Sequence, residues 1–570
     1  MTQRRASRST FARCIALLLL ALLAPGAPAT ARQPVYARKA MVVAEEPLAA
    51  EVGLAILKSG GNAVDAAVAV GFALAVTYPF AGNLGGGGFM LIRLADGRST
   101  FIDFREAAPA RATHDMYLDA AGHVTRDSLA GWRASGVPGS VRGFELASQK
   151  YGRKPWPVLL QPAIELAANG FPISKEQMDS FHRAAAALSP YPDSKRIFLK
   201  DGGFYDWHEN LVQPELADTL RRIARFGSRD FYEGETAHML ADAMAQNGGL
   251  ITLGDLHDYK AIERTPLEGD YKGYHIITSP PPSSGGVGLL QMLAVLDGTG
   301  YEKSGAGSSE AYHYMAAAMQ HFYADRNEYL ADPDFVKSPI AAMLDPAYIK
   351  KLRASIDPAH ATSADQISPG LPGTAEGANT THYSIVDEQG NAVSVTYTLN
   401  EGYGSGVTVP GAGFLLNDEM DDFAAKPGTP NLFGLVQGER NSIAPGKRPL
   451  SSMVPTILLK DGKPFLVLGA PGGPTIITAV LQVILNVIDF NMNVQDAVDF
   501  PRIHDQWKPD RLEVERGISP DTIAALKHLG YHVDDAHPVV LAHVEAILIK
   551  DGWLQGAPDG RNATGKAAGY

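Results

Sequence analysis

Few folds accommodate the twenty residues THYSIVDEQGNAVSVTYTLN, positions 381–400. Apolar and polar residues alternate on both sides of DEQGN, the period of a strand whose faces meet different surroundings. A three-residue loop, Glu388-Gln389-Gly390, sets glycine at the left-handed position such hairpins favour. Ile385 then faces Val393, Tyr383 faces Val395 and Thr381 faces Tyr397 on an apolar face. The other face carries Thr380, His382 and Ser384 opposite Thr398, Thr396 and Ser394. A slip of one residue would mix the two faces, so the pattern itself fixes the register. Two uses of the polar face stay open: the solvated side of an edge hairpin, or the seat of a working hydroxyl.

A threonine hydroxyl is a poor nucleophile without an adjacent base. The chain has no G-x-S-x-G elbow and no evident Ser-His-Asp arrangement. One route remains. If the bond between Asn379 and Thr380 breaks, the new α-amino group, with a pKa of about 7.7–8.0, becomes the base. Chemistry alone does not choose between Thr380 and Thr381.

Composition bounds the rest. The 570 residues are 45% hydrophobic and 20% charged, with formal charge −12. Such an acidic chain argues against nucleic acid or an anionic membrane face as partner. Residues 1–31 read as an export signal: a basic start, the apolar run CIALLLLALLA, and Ala29-x-Ala31 for cleavage. Their loss removes four arginines and no acids, so the formal charge goes from −12 to −16. It also removes Cys14, the only cysteine, leaving neither a disulfide nor a thiol nucleophile. The expected location is periplasmic or secreted, with no membrane attachment once the signal is gone.

Helix-like and strand-like segments alternate from about residue 40 to 380. LAAEVGLAILKSGGNAVDAAVAVGFALAV reads as two alanine-rich helices split at Gly60-Gly61. FMLIRLADGRSTFIDFREA reads as two strands turning at Asp96-Gly97. SSEAYHYMAAAMQHFYADRNEYL reads as a long helix with a serine cap and its aromatic residues on one side. Residues 380–480 are richer in strand and glycine, with an aperiodic loop before GKRPLSSM. No linker separates two domains, so a mixed sheet covered by helices is the simplest architecture.

TTHYSIVDEQGNAVSVTYTLN closely resembles the start of the small subunit of γ-glutamyltransferases. GGNAVDAAVA, GNLGGGGFMLI, DFREAAP, GVPGSVRGF, NDEMDDF, KRPLSSMVPTI, GAPGG and the terminal AGY resemble family segments in family order. The resemblance implies an α+β N-terminal nucleophile hydrolase fold, a four-layer αββα sandwich. It implies a precursor that cuts itself into a large subunit, residues 32–379, and a small one, 380–570, interlocked as a heterodimer. Within the threonine pair it assigns Thr380 as nucleophile, with Thr398 orienting it.

The resemblance extends residue by residue to substrate contacts. Gly472 and Gly473 match the family's pair of oxyanion-binding N–H groups. Arg105, Ser451 and Ser452 match positions that hold the donor's α-carboxylate, and Asn400, Glu419 and Asp422 those that hold its α-ammonium. The loop 427–438 matches a lid, with Phe433 at its gating position. The implied reaction moves a γ-glutamyl group from amides such as glutathione to water or to amino acid and peptide acceptors. No cofactor is expected: the glycine cluster lacks a P-loop's Lys-Ser/Thr, and the sixteen histidines show no metal spacing. Two other functions remain in view, a glutaryl or cephalosporin-type acylase and a non-catalytic γ-glutamyl peptide binder. The Asn562-Ala-Thr sequon is expected to go unused.

Overall fold

The structure is a computed structural model that describes residues 32–370, 380–429, 431–432, 434–435 and 438–570. The expected signal, Asn379 and Phe433 therefore lie outside the described residues. Residues Pro34–Tyr570 form one compact unit.

Two seven-stranded sheets form its centre. One runs, in spatial order, Lys566–Gly569, Met41–Ala44, Thr381–Val386, Ala392–Thr398, Gly87–Arg93, Ser99–Asp103 and Ile262–Arg264. The other runs Val35–Ala37, Trp553–Ala557, Glu545–Lys550, Lys463–Gly469, Thr456–Lys460, Tyr274–Thr278 and Leu267–Tyr271. Every pairing in both is antiparallel. Segments from either side of residue 379 thus alternate across both sheets.

The hairpin keeps the register read from its alternation: Thr381 opposes Tyr397, Tyr383 opposes Val395 and Ile385 opposes Val393. Asp387 N–H bonds Asn391 O, and Gly390 takes φ +88°, closing the three-residue loop. The solvated edge hairpin is ruled out. These strands are the third and fourth of seven, and their polar face is buried against the second sheet. Ser384 Oγ donates to Glu545 O at 3.1 Å and Ser394 Oγ to Leu468 O at 3.0 Å.

Helices cover both outer faces. The alanine-rich segment forms Pro47–Lys58 and Ala63–Thr77, broken at Gly60 with φ +87° and restarted by a capping box between Asn62 and Asp65. All of Ala63–Thr77 is buried, which explains its small residues. Tyr383 and Tyr397 hydroxyls donate to Ala67 O and Gly71 O, tying this helix to the hairpin. On the far side, Gly285–Leu296, Ser309–Tyr329 and Thr475–Ile488 pack on the second sheet around one core. Ser308 caps the long helix as expected, but that helix is buried on most of its circumference rather than on one side.

At the end of strand Met41–Ala44, Glu45 is 1% exposed. Burial pushes its carboxyl from 4.5 up to about 8, against a hydrogen bond with Tyr78. A raised folded value means the contribution is complete below about pH 4.5 and is lost as pH rises through 8. The loss is on the order of 5 kcal/mol. Glu45→Gln is accordingly expected to raise the thermal midpoint at pH 9 and barely change it at pH 4.5. Equal effects at both values would leave Glu45 ionised throughout. Nearby, Asn562 Nδ2 and Thr564 Oγ1 both donate to Glu45 O, at 3.1 and 2.8 Å, so the sequon's side chains serve the fold.

Candidate active site

Thr380 immediately precedes strand Thr381–Val386 and stands opposite Thr398 in the register. It is 5% exposed, and its hydroxyl, like that of buried Thr381, has no hydrogen-bond partner among the described residues. An orphaned buried hydroxyl is uncommon and calls for a reason. Thr381, one residue on, turns to the opposite face. Thr398 is held from two directions: its Oγ1 accepts from Asn400 N at 2.7 Å, and its carbonyl accepts from Asn83 Nδ2 at 2.7 Å. Asn400 turns away with φ +79°, and its Nδ2 donates to Asp418 O at 3.1 Å.

The glycine cluster has a steric purpose. A Cβ on Gly86 would fall 2.0 Å from Thr398 O, and one on Gly88 2.4 Å from Tyr397 Cα. Glycine lets this loop lie directly on the strand carrying Thr398. Asn83 completes the clasp, its Oδ1 accepting from Gly86 N at 3.0 Å and Ser140 Oγ at 2.7 Å. Gly86→Ala is expected to displace Thr398 and cost about 1–3 kcal/mol in thermal or denaturant unfolding. Wild-type stability in that variant would mean the loop gives way freely.

His382 shares the polar face with Thr380. Its ring hydrogen-bonds Thr396 Oγ1 at 2.8 Å and Ser384 Oγ at 3.0 Å. Burial pushes it down to about 3, so it stays neutral at working pH and is a brace rather than a proton carrier. Gly469 lies against that ring and ends its strand. Gly472 and Gly473 follow at φ +131° and +61°. Among the described residues, neither glycine N–H donates a hydrogen bond.

Arg105 is fully buried at the centre of an acidic cluster. Its guanidinium pairs with Glu419 and with Asp422, and lies 3.6 Å from Glu106. Nε donates to Pro449 O at 3.1 Å, and Tyr259 OH donates to the Arg105 carbonyl at 2.7 Å. Burial works against this charge, but Glu419, Asp422 and Glu106 outweigh it and hold Arg105 above its ordinary range. Burial and then Glu419 push Glu106 well above the carboxylate range. Burial likewise raises Glu419, against the pull of Arg105. The turn NDEMDDF is thus no solvated acidic loop: Glu419–Asp422 is a buried 3₁₀ turn.

Ser451 and Ser452, both fully buried, follow Leu450, whose carbonyl accepts from Arg105 Nη2 at 3.4 Å. Ser451 Oγ accepts from Met453 N at 3.2 Å, and Ser452 Oγ accepts from Arg326 Nη2 at 2.7 Å. Of the loop expected to be a lid, Leu432 N–H reaches Asp421 Oδ2 at 3.4 Å and Leu435 is buried in the core. Sequence reasoning missed Arg326 and Asn83. An arginine on a long helix with many apolar residues, within FYADRNEY, and the lone amide among the glycines, were the available signals.

The family model described as gamma-glutamyltranspeptidase matches residues 49–570. A "Glutathione hydrolase proenzyme" of Pseudomonas sp. (strain A14) is 49% identical over 98% of this chain and 99% of its own length. Among solved structures, a cephalosporin acylase from Bacillus halodurans superposes with TM-score 0.84 at 27% identity, covering 96% of this chain and 98% of that one. A gamma-glutamyltranspeptidase chain from Helicobacter pylori matches at 42% identity and TM-score 0.57, covering 61% of this chain and 97% of that one. Helices on two stacked sheets, with these neighbours, are the αββα sandwich of N-terminal nucleophile hydrolases. The chain belongs to the gamma-glutamyltranspeptidase family.

Proposed function

We propose that this protein is a self-processing γ-glutamyltransferase and hydrolase that cleaves γ-glutamyl amides such as glutathione through an ester on Thr380. The observation that carries this is the place of the buried, orphaned Thr380 hydroxyl, on the polar face opposite a doubly anchored Thr398, where the equally orphaned Thr381 opposes Tyr397 instead. Cleavage between Asn379 and Thr380 frees the α-amino group. That amine takes the Oγ proton as Oγ attacks the γ-carbonyl. The oxyanion sits on the N–H groups of Gly472 and Gly473, which have no other acceptor among the described residues. Collapse expels the leaving amine, which takes the proton back. Water or an acceptor amine then repeats the steps in reverse and releases Thr380.

The buried carboxylates Glu419 and Asp422 pair with Arg105 in the free protein. A donor's α-ammonium and α-carboxylate substitute for that pairing, the ammonium with Asn400, Glu419 and Asp422, the carboxylate with Arg105, Ser451 and Ser452. Likeness to the cephalosporin acylase keeps a glutaryl acylase as second reading. A glutaryl group has no ammonium, and would leave Glu419 and Asp422 without one. Turnover of a γ-glutamyl anilide against its glutaryl counterpart decides, and faster glutaryl turnover reverses the assignment.

Two subunits, 32–379 and 380–570, fit the comparison with Helicobacter pylori: the first is 348 of 570 residues, 61%, the share that its solved chain covers. We place Phe433 at the lid and the protein outside the cytoplasm, on the strength of the sequence patterns. Among the described residues no helix is long and apolar enough to cross a membrane.

A further inference from the structure

We infer that Arg326 is a positioning residue that turns Ser452 into a one-way hydrogen-bond donor toward the donor substrate's α-carboxylate. The inference rests on the proposed role of Ser452.

A serine hydroxyl has one proton and two lone pairs, and guanidinium can only donate. The direction of each Arg326–serine bond is therefore unambiguous. Arg326 Nε donates to Ser284 Oγ at 2.8 Å, and Nη2 donates to Ser452 Oγ at 2.7 Å. Ser284 passes its own proton to Ser451 O at 2.8 Å, and Ser284 N–H reaches the same carbonyl at 2.7 Å. Ser451 N–H in turn bonds Pro282 O at 2.7 Å, so the segment is clamped on both sides.

The hydroxyls of Ser451 and Ser452 remain. Each accepts, from Met453 N and from Arg326, and neither donates to any described residue. Two adjacent, fully buried hydroxyls thus keep their protons for an acceptor that the described residues do not supply. An anion suits them, because a charge-assisted bond from Arg326 polarises the Ser452 O–H toward stronger donation.

The same helical turn reaches the other end of the substrate. Tyr323, three residues before Arg326, donates its hydroxyl to Pro474 O at 2.5 Å, directly after Gly472-Gly473. One turn of Ser309–Tyr329 therefore braces both the oxyanion pair and the carboxylate serines.

The test compares γ-glutamyl anilide with 4-aminobutyryl anilide, which lacks only the α-carboxylate. In Arg326→Gln, kcat/KM for the first is expected to fall about 30- to 100-fold, mostly through KM, since charged hydrogen bonds are at stake. For the second the fall is expected to stay under about threefold. Gln can accept as well as donate, so it no longer dictates the hydroxyl's direction. Arg326→Lys cannot hold both serines with one fork and is expected to lower the ratio of the two substrates at least about threefold. In a Ser452→Ala background, Arg326→Gln should change that ratio no further.

Equal losses on both substrates, or simple multiplication of the two mutations' effects, would overturn the inference. If Arg326→Gln does not fold, an unchanged ratio in Arg326→Lys overturns it alone. If Ser452→Ala itself leaves the ratio unchanged, the fault lies in the proposed role of Ser452. If Ser452→Ala lowers the ratio and Arg326→Gln does not, only the role of Arg326 is wrong.

Discussion

Replacing Thr380 with alanine is expected to leave the chain in one piece on a denaturing gel and to remove γ-glutamyl turnover, by about 10⁶-fold where nucleophile and base act as a unit. In the proposed mechanism the same hydroxyl does two jobs, cutting the bond before it and then attacking substrate, so both readouts should vanish together. Thr380→Ser should keep both at reduced rates, because the oxygen and the future α-amine remain. Thr381→Ala should still split, since Thr381 faces the helices. Thr398→Ala should slow splitting without abolishing it, as Thr398 also anchors Asn400. N-terminal sequencing of the small piece from wild type should begin at Thr380. Active, two-piece Thr380→Ala protein would remove Thr380 from the chemistry altogether.

Arg105 carries the second large effect. Its guanidinium faces Glu419, Asp422 and Glu106, all four side chains being fully buried. Truncating one partner of a buried ionic group strands the others, at about 3–5 kcal/mol. Arg105→Leu should therefore unfold markedly earlier and also lose donor binding, with KM raised at least about 100-fold for a bidentate carboxylate contact. The stability deficit should shrink as pH falls. Glu106 and Glu419 already sit above the ordinary carboxylate range, so acid neutralises them first and removes the stranded charge. A deficit that is flat from pH 8 to pH 5 would mean that these carboxyls are not what Arg105 holds in check. Arg105→Lys restores charge but not the fork, and should fall between the two.

The hairpin register was legible because both strands alternate with period two and a single loop satisfies them. What covers its polar face was not. Period two says that Thr380, His382 and Ser384 share a side, whereas their cover, Lys463–Gly469 and Glu545–Lys550, comes from far along the chain. NDEMDDF misleads for the same reason when read alone: the arginine that neutralises it lies more than 300 residues earlier. Family resemblance supplied that pairing of segments; local pattern did not. Arg326 escaped because a helix rich in apolar residues gives no hint that one arginine points into a site. The steric purpose of the glycine cluster was hidden for the same reason, since it needs the strand the cluster lies against.

In the first sheet, Met41–Ala44 lies between Lys566–Gly569 and Thr381–Val386, a segment from before residue 379 held between two from after it. In the second, Val35–Ala37 forms the edge and pairs with Trp553–Ala557, again across the cut. Once the chain is cut, unfolding yields two molecules that must find each other again, and neither carries a complete sheet. Renaturation should become second order, while the uncut Thr380→Ala chain should still refold by itself. The enzyme is then made once: its working lifetime is set by how slowly it opens, not by an equilibrium to which it can return.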